Sequence, residues 1–182
     1  MALNNRLEAD SLRRRVDAYE ALRERFRPSP IKVLFVGESR PANGTFFYRG
    51  DSRLARYTCE AFGPEGGLGL EMPAFLERFY SPGCFLVDLC PVPVNHLSGP
   101  ERRRLRRTGE PALARILSDT RPSAIIVVMI GIAASVDRAA TAAGAERVPR
   151  YVLPFPAQGH EREYVRRLRD TIARLREEGV LD

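Results

Sequence analysis

Three short segments concentrate the residues able to do chemistry. The first is Gly37-Glu38-Ser39-Arg40-Pro41-Ala42-Asn43-Gly44-Thr45-Phe46-Phe47-Tyr48, directly after a compact apolar run. A glycine leaving a buried strand lets the backbone turn sharply and bares its N–H groups. The carboxylate of Glu38 then stands at the mouth of a sheet, where it can orient water. The three aromatics offer a stacking face, and base–aromatic stacking is worth about 1–3 kcal/mol. For any one of them taken alone, plugging the core is the simpler use.

The second segment is Val87-Asp88-Leu89-Cys90-Pro91-Val92-Pro93-Val94-Asn95-His96. Asp88 ends an apolar strand, so its burial is costly unless it meets a partner or a ligand. Capping a neighbouring backbone segment is the alternative use. The third is Leu153-Pro154-Phe155-Pro156-Ala157-Gln158-Gly159-His160-Glu161, where two prolines pin a strand exit and a histidine opens a helix. Helix N-termini present free N–H groups and a positive dipole end. An imidazole there can donate to a developing anion. His160, one of two histidines, is the strongest single functional candidate.

Several chemistries lack their signatures. There is no Gly-x-x-x-x-Gly-Lys-Ser/Thr loop, no Gly-x-Gly-x-x-Gly turn and no Gly-x-Ser-x-Gly elbow. Three cysteines, Cys59, Cys84 and Cys90, show no metal-ligand spacing and are too few for a four-cysteine zinc or iron–sulfur site. We therefore expect no cofactor and no metal, and core thiols in a reducing compartment. The formal charge is +6, and among 29 basic residues only Lys32 is lysine. A basic excess favours polyanionic partners, although a solvated arginine surface explains it equally well.

These segments need a scaffold. Leu7, Leu12, Val16, Tyr19, Leu22 and Phe26 recur at helical spacing, predicting an amphipathic helix over 4–26 that Pro28 and Pro30 stop. Ile31–Val36 reads as the first strand and Cys84–Leu89 as the second. Ala124–Ile130 is the third, apolar throughout as when both sheet faces are covered, and Arg150–Leu153 is the last. Helices are expected from Asp51 or Ser52 to Phe62, over 72–80, and from near Pro100, where Ser98-Gly-Pro-Glu101 forms a capping box. Others follow over 111–119, 131–143 and 161–178, and a flexible connection over 63–69. The alternation predicts a three-layer α/β/α sandwich around a short parallel sheet of about four strands, residues 31–182, with the helix of residues 1–30 packed on it. Ligands of such sheets bind beyond the strands' carboxyl ends, which all three segments leave. No apolar run is long enough to cross a bilayer and the first residues lack a signal-peptide core, so a cytoplasmic location is expected.

At these segments the chain resembles the uracil-DNA glycosylase superfamily, especially an uncharacterised bacterial branch labelled uracil-DNA glycosylase-like. Val-Leu-Phe-Val-Gly37-Glu38-Ser39-Arg40-Pro41 looks like that family's first motif, a strand followed by Gly-Glu-x-Pro-Gly. Phe-Phe-Tyr-Arg-Gly resembles the aromatic stretch after it, and Cys84–Pro93 the middle strand with its proline-bearing exit. Ile125–Ala133 is similar to the late strand–Gly–helix unit, and Pro154–His160 occupies the place of the last motif, normally His-Pro-Ser. The resemblance spans about residues 31–175. It implies a DNA partner and hydrolysis of the N-glycosidic bond of a damaged or deaminated base. Glu38 would then stand beside the attacked sugar carbon and His160 would donate to the base oxygen. Gly37, Phe46, Phe47 and Asp88 would hold the flipped base, with Arg40 and Arg162 on the backbone. The chain departs from the pattern in having no glycine after Pro41, no His-Pro-Ser, and aspartate at 88 where many members carry asparagine. A non-catalytic nucleic-acid or nucleobase-binding module, or a hydrolase of free nucleosides or nucleotides, are the alternatives from other classes.

Overall fold

The computed structural model describes residues 18–63 and 71–182. The positions Leu7, Leu12 and Val16, and the connection after Gly63, lie outside them. Strands β1 (Val33–Gly37), β2 (Cys84–Asp88), β3 (Ala124–Val127) and β4 (Arg150–Val152) form one parallel sheet in the order β2-β1-β3-β4. β1 and β3 lie at its centre and are buried at every residue, which is why they read as unbroken apolar runs.

The helices are α1 (18–24 in its described part), α2 (Arg53–Phe62), α3 (Met72–Tyr80), α4 (Gly99–Thr120), α5 (Ala133–Ala142) and α6 (Glu161–Glu177). From β1 the sheet grows first toward β2 and then back across toward β3 and β4. Right-handed crossovers therefore place α2 and α3 on one face and α4 and α5 on the other. The observed contacts agree: α4 packs with α5, and α2 packs with α3 and α6. Thr58 Oγ1 and the Tyr164 hydroxyl, 2.7 Å apart and buried, join α2 to α6. The result is the α/β/α arrangement expected from the alternation of elements.

Most boundaries shift by one or two residues, and two differences from the sequence reading are larger. The segments expected as separate helices near Pro100 and over 111–119 are one helix, α4, with Pro111 inside it. The proline forgoes one backbone hydrogen bond, but Gly109, Leu113 and Leu117 are buried against the sheet layer and carry the helix through. β3 is shorter than Ala124–Ile130. Its neighbours β1 and β4 end at Gly37 and Val152, so the chain beyond has no complete ladder and coils into a 3-10 turn, Ile130–Ile132.

Both sheet edges are capped by side chains. On β2 the buried Tyr48 hydroxyl accepts from Leu86 N at 2.7 Å and donates to the Leu86 carbonyl at 3.0 Å. On β4, Arg167 Nη2 donates to the Val152 carbonyl at 2.8 Å. Among the described residues no helix is long and apolar enough to cross a membrane.

Candidate functional site

The sheet order reverses between β1 and β3, and a crevice opens where their exits diverge to opposite faces. A pocket of about 500 Å³ fills it, lined by Gly37 and Glu38 from β1, Asp88 and Asn95 from β2 and its exit, Ile130 and Gly131 after β3, and Phe155 and His160 after β4. The three segments singled out in the sequence converge there. Hydrogen bonds hold two of the exits together: Cys90 N donates to the Glu38 carbonyl at 2.7 Å and Val94 N to Ser39 Oγ at 3.3 Å.

Glu38 is buried and its carboxylate is gripped by two arginines of α4. Arg102 Nε donates to Oε1 at 2.6 Å while its Nη2 engages Oε2, and Arg106 Nε donates to Oε1 at 2.6 Å. Arg106 Nη1 also donates to the Gly131 carbonyl at 2.7 Å, bridging the exits of β1 and β3. Burial alone pushes the Glu38 carboxyl up, but the arginine hydrogen bonds and charges outweigh it and hold the group below its ordinary value. Both oxygens of this carboxylate are engaged and its basicity is lowered, so it is a poor acceptor for a proton from water. No local signal marked this clamp. The partners are 64 and 68 residues apart in sequence, and the only hint was a pair of arginines four apart on a helix after a site-bearing loop.

The clamp depends on how closely α4 approaches the β2 exit. A Cβ at Gly109 would stand 1.8 Å from the Leu89 carbonyl oxygen, so no other residue fits without moving the helix. At its start, Glu101 accepts from Ser98 N at 3.0 Å in the capping box the sequence predicts.

Asp88 is held differently. Its Oδ2 accepts from Arg23 Nη2 of α1 at 2.8 Å, and Arg23 Nη1 meets Glu20 at 2.8 Å. Its Oδ1 is directed at Gly37, where a Cβ would lie 3.0 Å away, so the glycine keeps that oxygen uncovered. Burial pushes the Asp88 carboxyl up, and the Arg23 guanidinium offsets only part of it. The Arg23 Nε is buried without a hydrogen-bond partner. The surroundings thus favour the neutral form at Asp88 and the ionised form at Glu38.

His160 is the N-cap residue of α6, with its side chain 58% exposed and Nδ1 3.6 Å from Glu163 Oε2. It lines the rim of the pocket.

The aromatics divide between the core and the pocket. Phe46 and Phe47 are buried, Phe46 edge-on to Tyr19 at 4.9 Å and Phe47 edge-on to Phe79 at 5.0 Å. They border only a narrow recess beside Asp88. They are largely core side chains and lie outside the lining of the main pocket. The aromatic on the main pocket is Phe155, 38% exposed between the buried Pro154 and Pro156. Ile130 is the other large apolar side chain exposed there.

Of the two backbone candidates, Arg40 lies over the Tyr19 ring at 4.4 Å, beside the recess. Arg162 lines a separate depression with Glu60, Arg166 and Asp170 and does not reach the pocket. The position Asn95 lines the pocket while His96 does not. Cys59, Cys84 and Cys90 are buried, and burial pushes the Cys84 thiol up to about 12 and the Cys90 thiol up to about 11, which removes both as nucleophiles at neutral pH. Among the described residues no group of histidine, cysteine, aspartate and glutamate is arranged to hold a metal ion.

No protein-family model matches the chain, and none of the curated proteins matches it.

Proposed function

We propose that the pocket at the strand exits receives a nucleobase of DNA and that the protein is a glycosylase-like hydrolase of the N-glycosidic bond, on the fold of the uracil-DNA glycosylase superfamily its segments resemble. The observation that supports this reading is the convergence of Gly37, Glu38, Asp88 and His160, from three separate segments, on one pocket of about 500 Å³. That volume lies within the usual range for small-ligand sites, and the sheet order puts it at the position where such folds bind ligands.

In this reading the base enters between Phe155 and the β1 exit. Asp88 reads the base edge through the Oδ1 that faces Gly37, and in its neutral form that group donates to a base carbonyl, which an ionised carboxylate would repel. His160 donates to the base oxygen as the carbon–nitrogen bond breaks and its electron pair leaves with the base. Water bonds to the sugar carbon, with its proton released to solvent at the open rim. Glu38, ionised and fixed by Arg102 and Arg106, supplies negative charge near the cationic sugar rather than accepting that proton.

The clamp on Glu38 also favours a second reading, a nucleobase-binding module without catalysis, because the two arginines neutralise the charge that would steady the sugar cation. A panel of lesion-bearing oligonucleotides, single- and double-stranded, separates the two. Base release that His160→Ala abolishes, with thermal stability retained, establishes the hydrolase and names its lesion. Silence across the panel with DNA still bound establishes the module.

A further inference from the structure

Helix α4 carries Arg102, Arg103, Arg104, Arg106 and Arg107 in its first turns. Arg102 and Arg106 are engaged by Glu38 at the pocket. Arg103 and Arg107 lie on the adjoining strip of the helix, four residues apart and therefore one above the other. Both are exposed, and among the described residues neither makes a salt bridge. The acid nearest them in sequence on that side, Glu110, is held by Arg138, with Nη2 and Oε1 2.6 Å apart. This arrangement works against the helix. Like charges four apart repel, and cations near a helix N-terminus oppose its dipole. Clustered arginines are, however, suited to phosphate oxygens, which the guanidinium meets bidentately.

We propose that the Arg103–Arg107 strip of α4 binds backbone phosphates flanking the nucleotide whose base occupies the pocket. The proposal rests on the nucleic-acid reading of that pocket and gives the backbone role to α4 rather than to Arg162, whose depression shares no residue with the pocket. Because Arg102 and Arg106 fix α4 to the β1 exit, the strip is held in register with Glu38.

The test is fluorescence anisotropy of a labelled single-stranded 15-mer deoxyoligonucleotide, titrated with the full chain across a salt series. Arg103→Gln/Arg107→Gln is compared with Arg162→Gln/Arg166→Gln, which removes the same charge from α6. The α4 pair is expected to weaken binding about tenfold at low salt and to reduce the log–log salt slope by about 1.4, the value for two phosphates of a single strand. Arg103→Lys/Arg107→Lys, which keeps the charge, should restore most of that slope. The α6 pair should change affinity by less than about threefold, as expected for charge outside the contact. Equal losses in both pairs, or none in the α4 pair, overturn the proposal. Absence of binding by the unaltered protein overturns it together with the nucleic-acid reading. A slope loss confined to α4 in a protein that releases no base supports the strip and rejects only the hydrolase.

Discussion

The Cβ that Gly109 lacks would stand 1.8 Å from the carbonyl oxygen of Leu89. Helix α4 thus lies against the backbone of the β2 exit, and this contact sets where Arg102 and Arg106 stand. Gly109→Ala must push the helix outward. Since overpacking a close-packed contact costs about 1–3 kcal/mol, we expect a lowered denaturant midpoint with an unchanged m-value. The clamp should loosen with it, seen as a rise of the Glu38 carboxyl pKa by carbon-13 NMR. A midpoint within error of the unaltered protein would show that the helix has room to spare.

Glu38→Gln should destabilise the protein at neutral pH by about 1.5–3 kcal/mol, the range for hydrogen bonds to a charged group. The sign of its pH dependence follows from the lowered folded-state pKa. The carboxylate's contribution is present above the unfolded value, about 4.3, and is lost as pH falls toward the folded one. The gap between Glu38→Gln and the unaltered chain should therefore be full near pH 7 and shrink with acidification below about 4.3. Urea titrations at a series of pH values check this, and a gap that widened in acid would contradict the clamp.

Phe155→Ala and Phe47→Ala should separate the surface aromatic from the core ones. Removing the exposed Phe155 should leave the melting transition nearly unmoved while weakening oligonucleotide binding by about 1–3 kcal/mol if a base stacks there. Removing buried Phe47 should cost about 3–5 kcal/mol of stability. Binding by the folded fraction of Phe47→Ala should be largely retained.

Tyr48→Phe removes one oxygen that both accepts from Leu86 N and donates to its carbonyl. Two buried backbone groups lose their partner, and each unsatisfied group costs about 1–3 kcal/mol. Hydrogen exchange at the Leu86 amide should accelerate more than at its β1 neighbour Phe35, which sits in the sheet interior.

What the sequence made legible follows the range of the interactions concerned. Val33–Val36 and Ala124–Val127 were readable because burial on both faces leaves an unbroken apolar run. The starts of α2 and α4 were readable because Ser52 and the Ser98–Glu101 box satisfy backbone groups within one turn. Pro111 reads as a helix break because its local penalty is visible in the sequence, whereas the packing of Gly109, Leu113 and Leu117 that offsets it is not. At the site, the glycine, acid and histidine positions follow from strand exits, so their convergence was foreseeable from topology. The Arg102–Glu38–Arg106 clamp and the Arg23–Asp88 pair were not, since nothing local ties residues more than sixty positions apart. The contrast between Phe47 and Phe155 has the same origin, because whether a loop ring is covered depends on elements distant in sequence, here Phe75 and Phe79 against Phe47.

The side chains that cap β2 and β4 have a consequence for how this molecule meets others. An uncapped edge strand is a template on which a second chain can add its own strand. Here Tyr48 takes both outward backbone groups of Leu86, and Arg167 takes the outward carbonyl of Val152. Self-assembly by sheet extension is thereby obstructed on both flanks by two side chains remote from the pocket.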